Sequence, residues 1–404
     1  MFGLDSVAIF DETKRRVKGD DKVLADLKAL GQLSEHRREQ ASLLRSRMAS
    51  PFHFRRAPDT DGSRFWAVII GINAYEKVAV LKGCVHDANL VRDYLREGLG
   101  VPEEHMQILL APAPAESDTN ILSPSRHNII QTLLGLCNND AIKPGDNILI
   151  YFAGHGASYK LENYYSESYA AVGAIEALCP IDRGTIDDSG HTIPDISDRE
   201  LNVILSGIRD AKGDRITVIL DCCFSSTATR HVGGGAVRNA DPLPAGLHSM
   251  FQFAANDLGA FPKHPSISAH DWTSDMSSHV ILAACKDIQQ ATELPRPDGT
   301  FHGAFSESLI GVLHAHEPLT YQQLIDSVIV AFPEALWGVQ TPVVAGKNMA
   351  SLLWYRKVLS PQEIRRHADS VHTKRPLWFL FSAGLATVGL VFLHLCYSCI
   401  WSAH

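Results

Sequence analysis

The chain has 404 residues, with 37 Lys and Arg against 45 Asp and Glu and a net charge of −8. That length suggests two or three domains, and the lack of a long basic run beyond the N-terminal segment argues against nucleic acid as a partner. Eight cysteines stand at 84, 137, 179, 222, 223, 285, 396 and 399 without paired CxxC motifs, which excludes a zinc framework and a dense disulfide framework. With no secretory signal at the N-terminus, reduced cytosolic thiols are expected.

Residues 1–62 read as a polar leader, partly helical or disordered. Over 1–60 it carries 12 Lys and Arg against 9 Asp and Glu. Val23, Leu24, Leu27 and Leu30 have helical spacing, and Pro51, Pro58 and Asp61-Gly62 mark a linker. Phe65-Trp-Ala-Val-Ile-Ile-Gly71 is a continuous apolar run, the pattern of a strand buried on both faces. Asn73-Ala-Tyr75 reads as a turn, and a helix is expected from about Leu81 to Leu95. Met106–Leu110 reads as a strand. Ser123-Pro124 reads as a helix start, with Ser at the cap and Pro in the first turn. Lys143-Pro-Gly-Asp146 turns into a strand over Ile148–Phe152.

Residues 157–194 read as a long irregular connection, and a loop of that length is expected to be functional. A helix is expected over Asp198–Ile208, then a strand from Ile216. Residues 227–277 hold Gly233-Gly-Gly235, several prolines and little periodicity, the pattern of a mobile linker. A strand over His279–Ala284, helices over Gly303–His314 and Thr320–Phe332, and a last strand over Ser351–Tyr355 complete the series. Strands alternating with helices over 63–357 predict an α/β domain, with a mostly parallel sheet of about six strands and helices on both faces.

The tail differs in kind. Residues 358–376 read as a juxtamembrane linker. Leu377 to Trp401 contains no Lys, Arg, Asp or Glu. At a rise of 1.5 Å per residue, such a run is long enough to cross a bilayer of about 30 Å. Lys374 and Arg375 precede it, which predicts a single-pass tail anchor with the folded domain in the cytoplasm.

Two strand ends carry the chemistry. Asn147-Ile-Leu-Ile-Tyr-Phe-Ala-Gly-His-Gly156 ends on His155 between two glycines. Ile216-Thr-Val-Ile-Leu-Asp-Cys-Cys-Phe-Ser-Ser226 runs from a buried strand into a carboxylate and two thiols. Open α/β sheets bind ligands beyond the carboxyl ends of their strands, so a Cys/His pair built across neighbouring strand ends is expected. A thiol near pKa 8.5 needs a base within reach, and an imidazole supplies it. The amide of Gly156, with that of the nucleophile, is the expected oxyanion donor pair.

Tyr151-Phe-Ala-Gly-His-Gly156 and Asp221-Cys-Cys-Phe-Ser225 resemble the two catalytic motifs of the caspase/metacaspase clan of cysteine peptidases. Leu81-Lys-Gly-Cys-Val-His-Asp87 is similar to the metacaspase segment that shapes the substrate pocket. Val280-Ile-Leu-Ala-Ala-Cys285 with Gly303-Ala-Phe305 resembles the small-subunit part. The resemblance implies a caspase-like three-layer sandwich, divided into a large-subunit-like part (63–226), a linker (227–277) and a small-subunit-like part (278–357). It makes Cys223 the nucleophile, with Cys222 a spacer, and His155 the base. Asp87 and Asp221 become the pocket that selects Arg or Lys before the scissile bond. Two carboxylates in a cleft attract a guanidinium or ammonium and repel an acidic side chain. Arg230, Arg238 and Lys263 in the linker are the candidate self-processing points.

The chain departs from the metacaspase pattern at Phe224, where a His usually follows the nucleophile. The resemblance also implies calcium ligands at Asp182 and Asp198. Arg199, standing where a second aspartate would, opposes a hard cation, so no cofactor is expected. A membrane-anchored scaffold without turnover is the competing expectation. Nothing in the pattern specifies an oligomeric state.

Overall fold

The computed structural model describes residues 61–112, 121–161, 174–224, 236–244, 246–260, 266–286, 289–315 and 319–354, together with Glu39 and Ser42. The rest of the leader, the candidates Arg230 and Lys263, and the whole tail from 355, including 377–401, lie outside the described residues. Among the described residues no helix is long and apolar enough to cross a membrane.

The apolar run near the start forms β1 (Phe65–Ile72), with all eight residues buried. A strand buried on both faces needs cover on both, and the helices supply it. The chain continues through α1 (Cys84–Asp93), which widens into a π-type turn at Tyr94–Leu99 and stops at Gly100 in the left-handed region, φ 73°. β2 (Met106–Ala111), α2 (Arg126–Asn138) and β3 (Asn147–Ala153) follow. Helix α2 starts two residues later than the Ser-Pro signal suggests. Its cap is Ser125, whose hydroxyl accepts from the Asn128 amide, while Pro124 stays outside.

The stretch read as an irregular connection instead contributes to a small antiparallel sheet of β4 (Gly156–Lys160), β5 (Ala174–Leu178) and, just beyond its end, β6 (Ile196–Ser197). Its strands are short and mixed in polarity, so no alternation betrays them. Next come α3 (Asp198–Lys212) and β7 (Ile216–Asp221). Within the stretch read as a linker, 246–257 forms a helix, α4 (Gly246–Asp257), on buried Leu247, Met250, Phe251 and Ala254. β8 (Val280–Ala283), the ribbon of β9 (Glu293–Pro295) and β10 (Phe301–Gly303), α5 (Ala304–Ala315) and α6 (Tyr321–Ala331) lead to β11 (Val343–Ala345). The last strand therefore falls earlier than expected. Leu352 makes only an isolated bridge, to Thr320.

The main sheet has six strands in the order β11-β8-β7-β3-β1-β2, parallel except for β11 against β8. The chain steps one way from β1 to β2 and the other way to β3, which creates a switch point at β1. The carboxyl ends of β1, β3 and β7 open onto one place.

Candidate active site

Register brings the sulfur and the imidazole to that place. β3 and β7 pair in parallel up to Ala153 opposite Asp221. Two residues further along each chain stand His155 and Cys223, on strands spaced about 4.8 Å apart. The Gly156 backbone crosses directly over Cys223: a Cβ built on Gly156 would lie 2.5 Å from the Cys223 carbonyl oxygen. Any side chain at 156 would therefore push the two segments apart. Both His155 and Cys223 are 0% exposed, so something covers them.

The loop after β1 fixes the imidazole. His155 Nε2 lies 2.7 Å from the carbonyl oxygen of Ala79. A carbonyl only accepts, so Nε2 carries the proton and the neutral ring keeps its lone pair on Nδ1. Nδ1 is buried and has no hydrogen-bond partner among the described residues. Burial pulls the His155 pKa down to about 4, against the opposing pull of the Ala79 carbonyl. The ring is thus a neutral base near neutral pH. Tyr75 adds a second restraint: its hydroxyl accepts from the His155 amide at 3.0 Å and donates to the Cys179 carbonyl at 3.1 Å. Its ring packs on the imidazole with centroids 4.8 Å apart. Asn73 shapes the loop that carries Ala79, accepting from the Val85 amide and donating to the Lys82 carbonyl. Ala79, Tyr75 and Asn73 were not read from the sequence as site residues. A backbone carbonyl leaves no side-chain signature, and an Asn-Ala-Tyr turn looks like any other turn.

Asp87 and Asp221 meet as expected, and what they meet around is Arg238. Its Nη2 lies 2.5 Å from Asp87 Oδ2, and its Nη1 lies 2.9 Å from Asp221 Oδ2. A third carboxylate completes the pocket: Glu293 Oε1, 3.2 Å from Nη2. Sequence reasoning missed Glu293, which arrives on the β9–β10 ribbon from some 200 residues beyond Asp87, with no motif of its own. The same carboxylate accepts from the Lys82 and Gly83 amides at the start of α1, where helix N–H groups lack intrahelical partners. Asp221 Oδ2 accepts from the Ser306 hydroxyl at 2.6 Å, and Asp87 Oδ2 from the Gly303 amide at 2.8 Å. Gly303 floors the pocket, because a Cβ there would sit 2.4 Å from Asp221 Oδ2 and 2.6 Å from Arg238 Nη1. Three carboxylates face one guanidinium in a dry setting. Burial raises the Asp87 pKa to about 7, offsetting the pull of Arg238.

The two amides expected to form an oxyanion hole also converge. Gly156 N–H and Cys223 N–H both donate to the carbonyl oxygen of Arg238, each at 3.1 Å. Arg238, one of three processing candidates, thus fills the pocket with its side chain and the amide pair with its carbonyl. The other two candidates lie outside the described residues. Phe224 packs beside Gly156, where a Cβ would lie 2.8 Å from its ring, and also lines a cavity of about 520 Å³ between β5 and α3.

The calcium candidates are occupied otherwise. Asp182 accepts from the Arg126 amide at 2.8 Å and Asp198 from the Arg199 amide at 2.7 Å. The Arg199 guanidinium donates to the carbonyls of Ile267 and Ala269. Among the described residues no group of three or more His, Cys, Asp or Glu side chains could share an ion. Each of the two aspartates thus already accepts from a backbone amide.

A mostly parallel open sheet with a thiol and an imidazole at adjoining strand ends, beside a carboxylate pocket, makes this an α/β domain consistent with a caspase-like fold. Residues 66–231 match the family model described as metacaspase, peptidase C14 domain. Metacaspase-1 of Mycosarcoma maydis is 26% identical over 289 residues, 65% of this chain and 65% of that protein. Metacaspase-1A of Aspergillus oryzae is 24% identical over 287 residues, 65% of this chain and 63% of that protein. Metacaspase-3 of Arabidopsis thaliana is 27% identical over 271 residues, 67% of this chain and 65% of that protein. The matched region spans just under two thirds of the length of each relative. Over this region the chain is similar to the metacaspase group of the caspase clan of cysteine peptidases.

Proposed function

We propose that this chain is a cysteine endopeptidase that cuts protein substrates after Arg or Lys. Cys223 attacks the carbonyl carbon and His155 Nδ1 takes the thiol proton. The amides of Gly156 and Cys223 hold the charge that develops on the oxygen. His155 then returns the proton to the departing amine, and water hydrolyses the thioester. The observation that carries this reading is Arg238. Its carbonyl oxygen accepts from both amides while its guanidinium is gripped by Asp87, Asp221 and Glu293. A basic residue lying in that double register is what a bound substrate would look like. Three carboxylates around an acidic side chain would repel it, which argues against cleavage after Asp. The donor set around Asp182 and Asp198 supports activity without calcium. The apolar run 377–401 supports a tail anchor that leaves this domain in the cytoplasm.

The test is hydrolysis of paired fluorogenic peptides ending in Arg, Lys or Asp, by wild type and by Cys223→Ala and His155→Ala. Loss of each group is expected to cost at least about a hundredfold in kcat. Cleavage of the Arg peptide by Cys223→Ala at the wild-type rate, or preferential cleavage of the Asp peptide, would sink the proposal.

A further inference from the structure

Gln340 is 3% exposed and lies on the segment that leads into β11. The antiparallel pairing of β11 with β8, Val343 opposite Ala283, lays that segment across the end of β8. The Gln340 carboxamide reaches two backbone groups at once. Its Oε1 accepts from the Thr292 N–H at 3.1 Å, and its Nε2 donates to the Ala284 carbonyl at 3.1 Å. The partners settle which end is which, because an N–H needs the oxygen and a carbonyl needs the NH2. Ala284 is itself tied to the sheet, its N–H donating to the Leu220 carbonyl at 2.9 Å. One planar group thus joins the residue before β9 to the end of β8. Gln289 makes the reciprocal contact: its Oε1 accepts from the Thr341 N–H at 2.9 Å, and its Nε2 donates to Thr341 Oγ1 at 3.1 Å.

Thr292 matters through its neighbours. Backbone groups alternate in direction along an extended chain, so Thr292 turns its own away from the site while Ala291 and Glu293 turn theirs toward it. On the far side, the Thr292 carbonyl accepts from the Ala304 N–H at 3.2 Å. On the near side, the Ala291 carbonyl accepts from the Arg238 N–H at 3.1 Å, and the Glu293 N–H donates to the Ala236 carbonyl at 3.0 Å. Those two groups are therefore the main-chain contacts open to a residue seated in the carboxylate pocket and to the residue two before it. The Glu293 side chain is also the third carboxylate of that pocket.

We infer that Gln340 is a positioning residue for extended substrates: it holds the 291–293 edge where the backbone of a peptide, two residues ahead of its basic side chain, pairs with the Glu293 N–H. This rests on the peptidase reading above and adds what lets the site favour a longer peptide over a single basic residue. Gln340 touches no reacting atom and acts through the backbone of Thr292. Without its carboxamide the Thr292 N–H is a buried donor with no acceptor, and the edge moves to find one. A shift of about 1 Å is enough to take a hydrogen bond out of range. Main-chain pairing of this kind supplies affinity, while the side-chain pocket supplies selectivity.

The experiment uses the full chain and two probes, acetyl-Arg-aminomethylcoumarin and acetyl-Ala-Val-Arg-aminomethylcoumarin. Both fill the carboxylate pocket, and only the longer one carries the carbonyl that the Glu293 N–H meets. The quantity read is kcat/KM for the longer probe divided by kcat/KM for the shorter. That ratio cancels the fraction of protein that is folded and open to substrate. Wild type is expected to prefer the longer probe. Gln340→Met keeps the length of the side chain without its hydrogen bonds, and is expected to lower the ratio at least about fivefold, the size of one hydrogen bond. Gln340→Glu sets a carboxylate oxygen against the Ala284 carbonyl and is expected to do the same; it decides alone if Gln340→Met does not fold. A ratio within twofold of wild type, with both probes slowed alike, makes Gln340 a packing residue. That result overturns this inference and spares the peptidase reading, as does a wild type indifferent to probe length. A wild type that cleaves neither probe overturns the peptidase reading, and this inference with it.

Discussion

The imidazole of His155 is tethered through Nε2 to the carbonyl oxygen of Ala79, 2.7 Å away, and that contact decides which ring nitrogen can act as a base. The hydroxyl of Tyr75 holds the backbone of the same residue. The imidazole is therefore positioned by two groups on the loop after β1.

Replacing Tyr75 by Phe leaves the buried His155 N–H without its acceptor. An orphaned buried donor costs about 1–3 kcal/mol, so an about fivefold to hundredfold fall in kcat is expected, with KM for Arg peptides within about twofold of wild type. Steady-state kinetics on the full chain reads the split. A raised KM with unchanged kcat would place Tyr75 in substrate binding instead.

The pocket and the base titrate in different ranges. His155, held down to about 4 by burial, stays neutral throughout the physiological range. Asp87, raised to about 7 by burial, gains its charge only as pH climbs through that value. Below it the carboxyl is neutral and attracts a guanidinium weakly; above it the full charge is present. KM for Arg peptides should therefore fall about tenfold between pH 6 and 8, the size of one charge-assisted hydrogen bond. Asp87→Asn should flatten that dependence and leave KM high throughout. A KM profile unchanged by Asp87→Asn would remove Asp87 from the pocket.

Gly303 has no room for a methyl group, with two carboxylate oxygens and a guanidinium nitrogen within 2.8 Å of where it would stand. Overpacking of this kind costs about 1–3 kcal/mol. Gly303→Ala should raise KM for Arg peptides by about tenfold to a hundredfold, most for Arg and less for the thinner Lys side chain. Equal effects on both peptides would count against Gly303 as the pocket floor.

Helix α6 offers a control away from the site. Thr320 caps it reciprocally with Gln323 in a capping box. Thr320→Ala should lower stability by about 1 kcal/mol and Tm by about 3 °C, with peptide hydrolysis unchanged. Calorimetry beside a kinetic assay checks both halves.

Local pattern was enough to mark both reactive strand ends. Phe65–Gly71, Ile148–Phe152 and Ile216–Leu220 are apolar runs that can only be buried strands, and His155 and Cys223 follow at their carboxyl ends. Short strands of mixed polarity gave no such signal in the β4–β6 sheet, and β11, though apolar, is only three residues long, so neither was legible.

Composition and periodicity thus determined the layered α/β sheet and the His and Cys at its strand ends, because each of these writes its physics into neighbouring positions; that Asp87 and Asp221 belong beside them came from the resemblance of their motifs to a known family. The folded chain alone decided that Ala79 orients the ring, that Glu293 supplies the third carboxylate, and that Arg238, among three candidate cations, fills the pocket. Those choices depend on backbone groups and on residues up to 211 positions apart meeting in space, and no local periodicity encodes such a meeting.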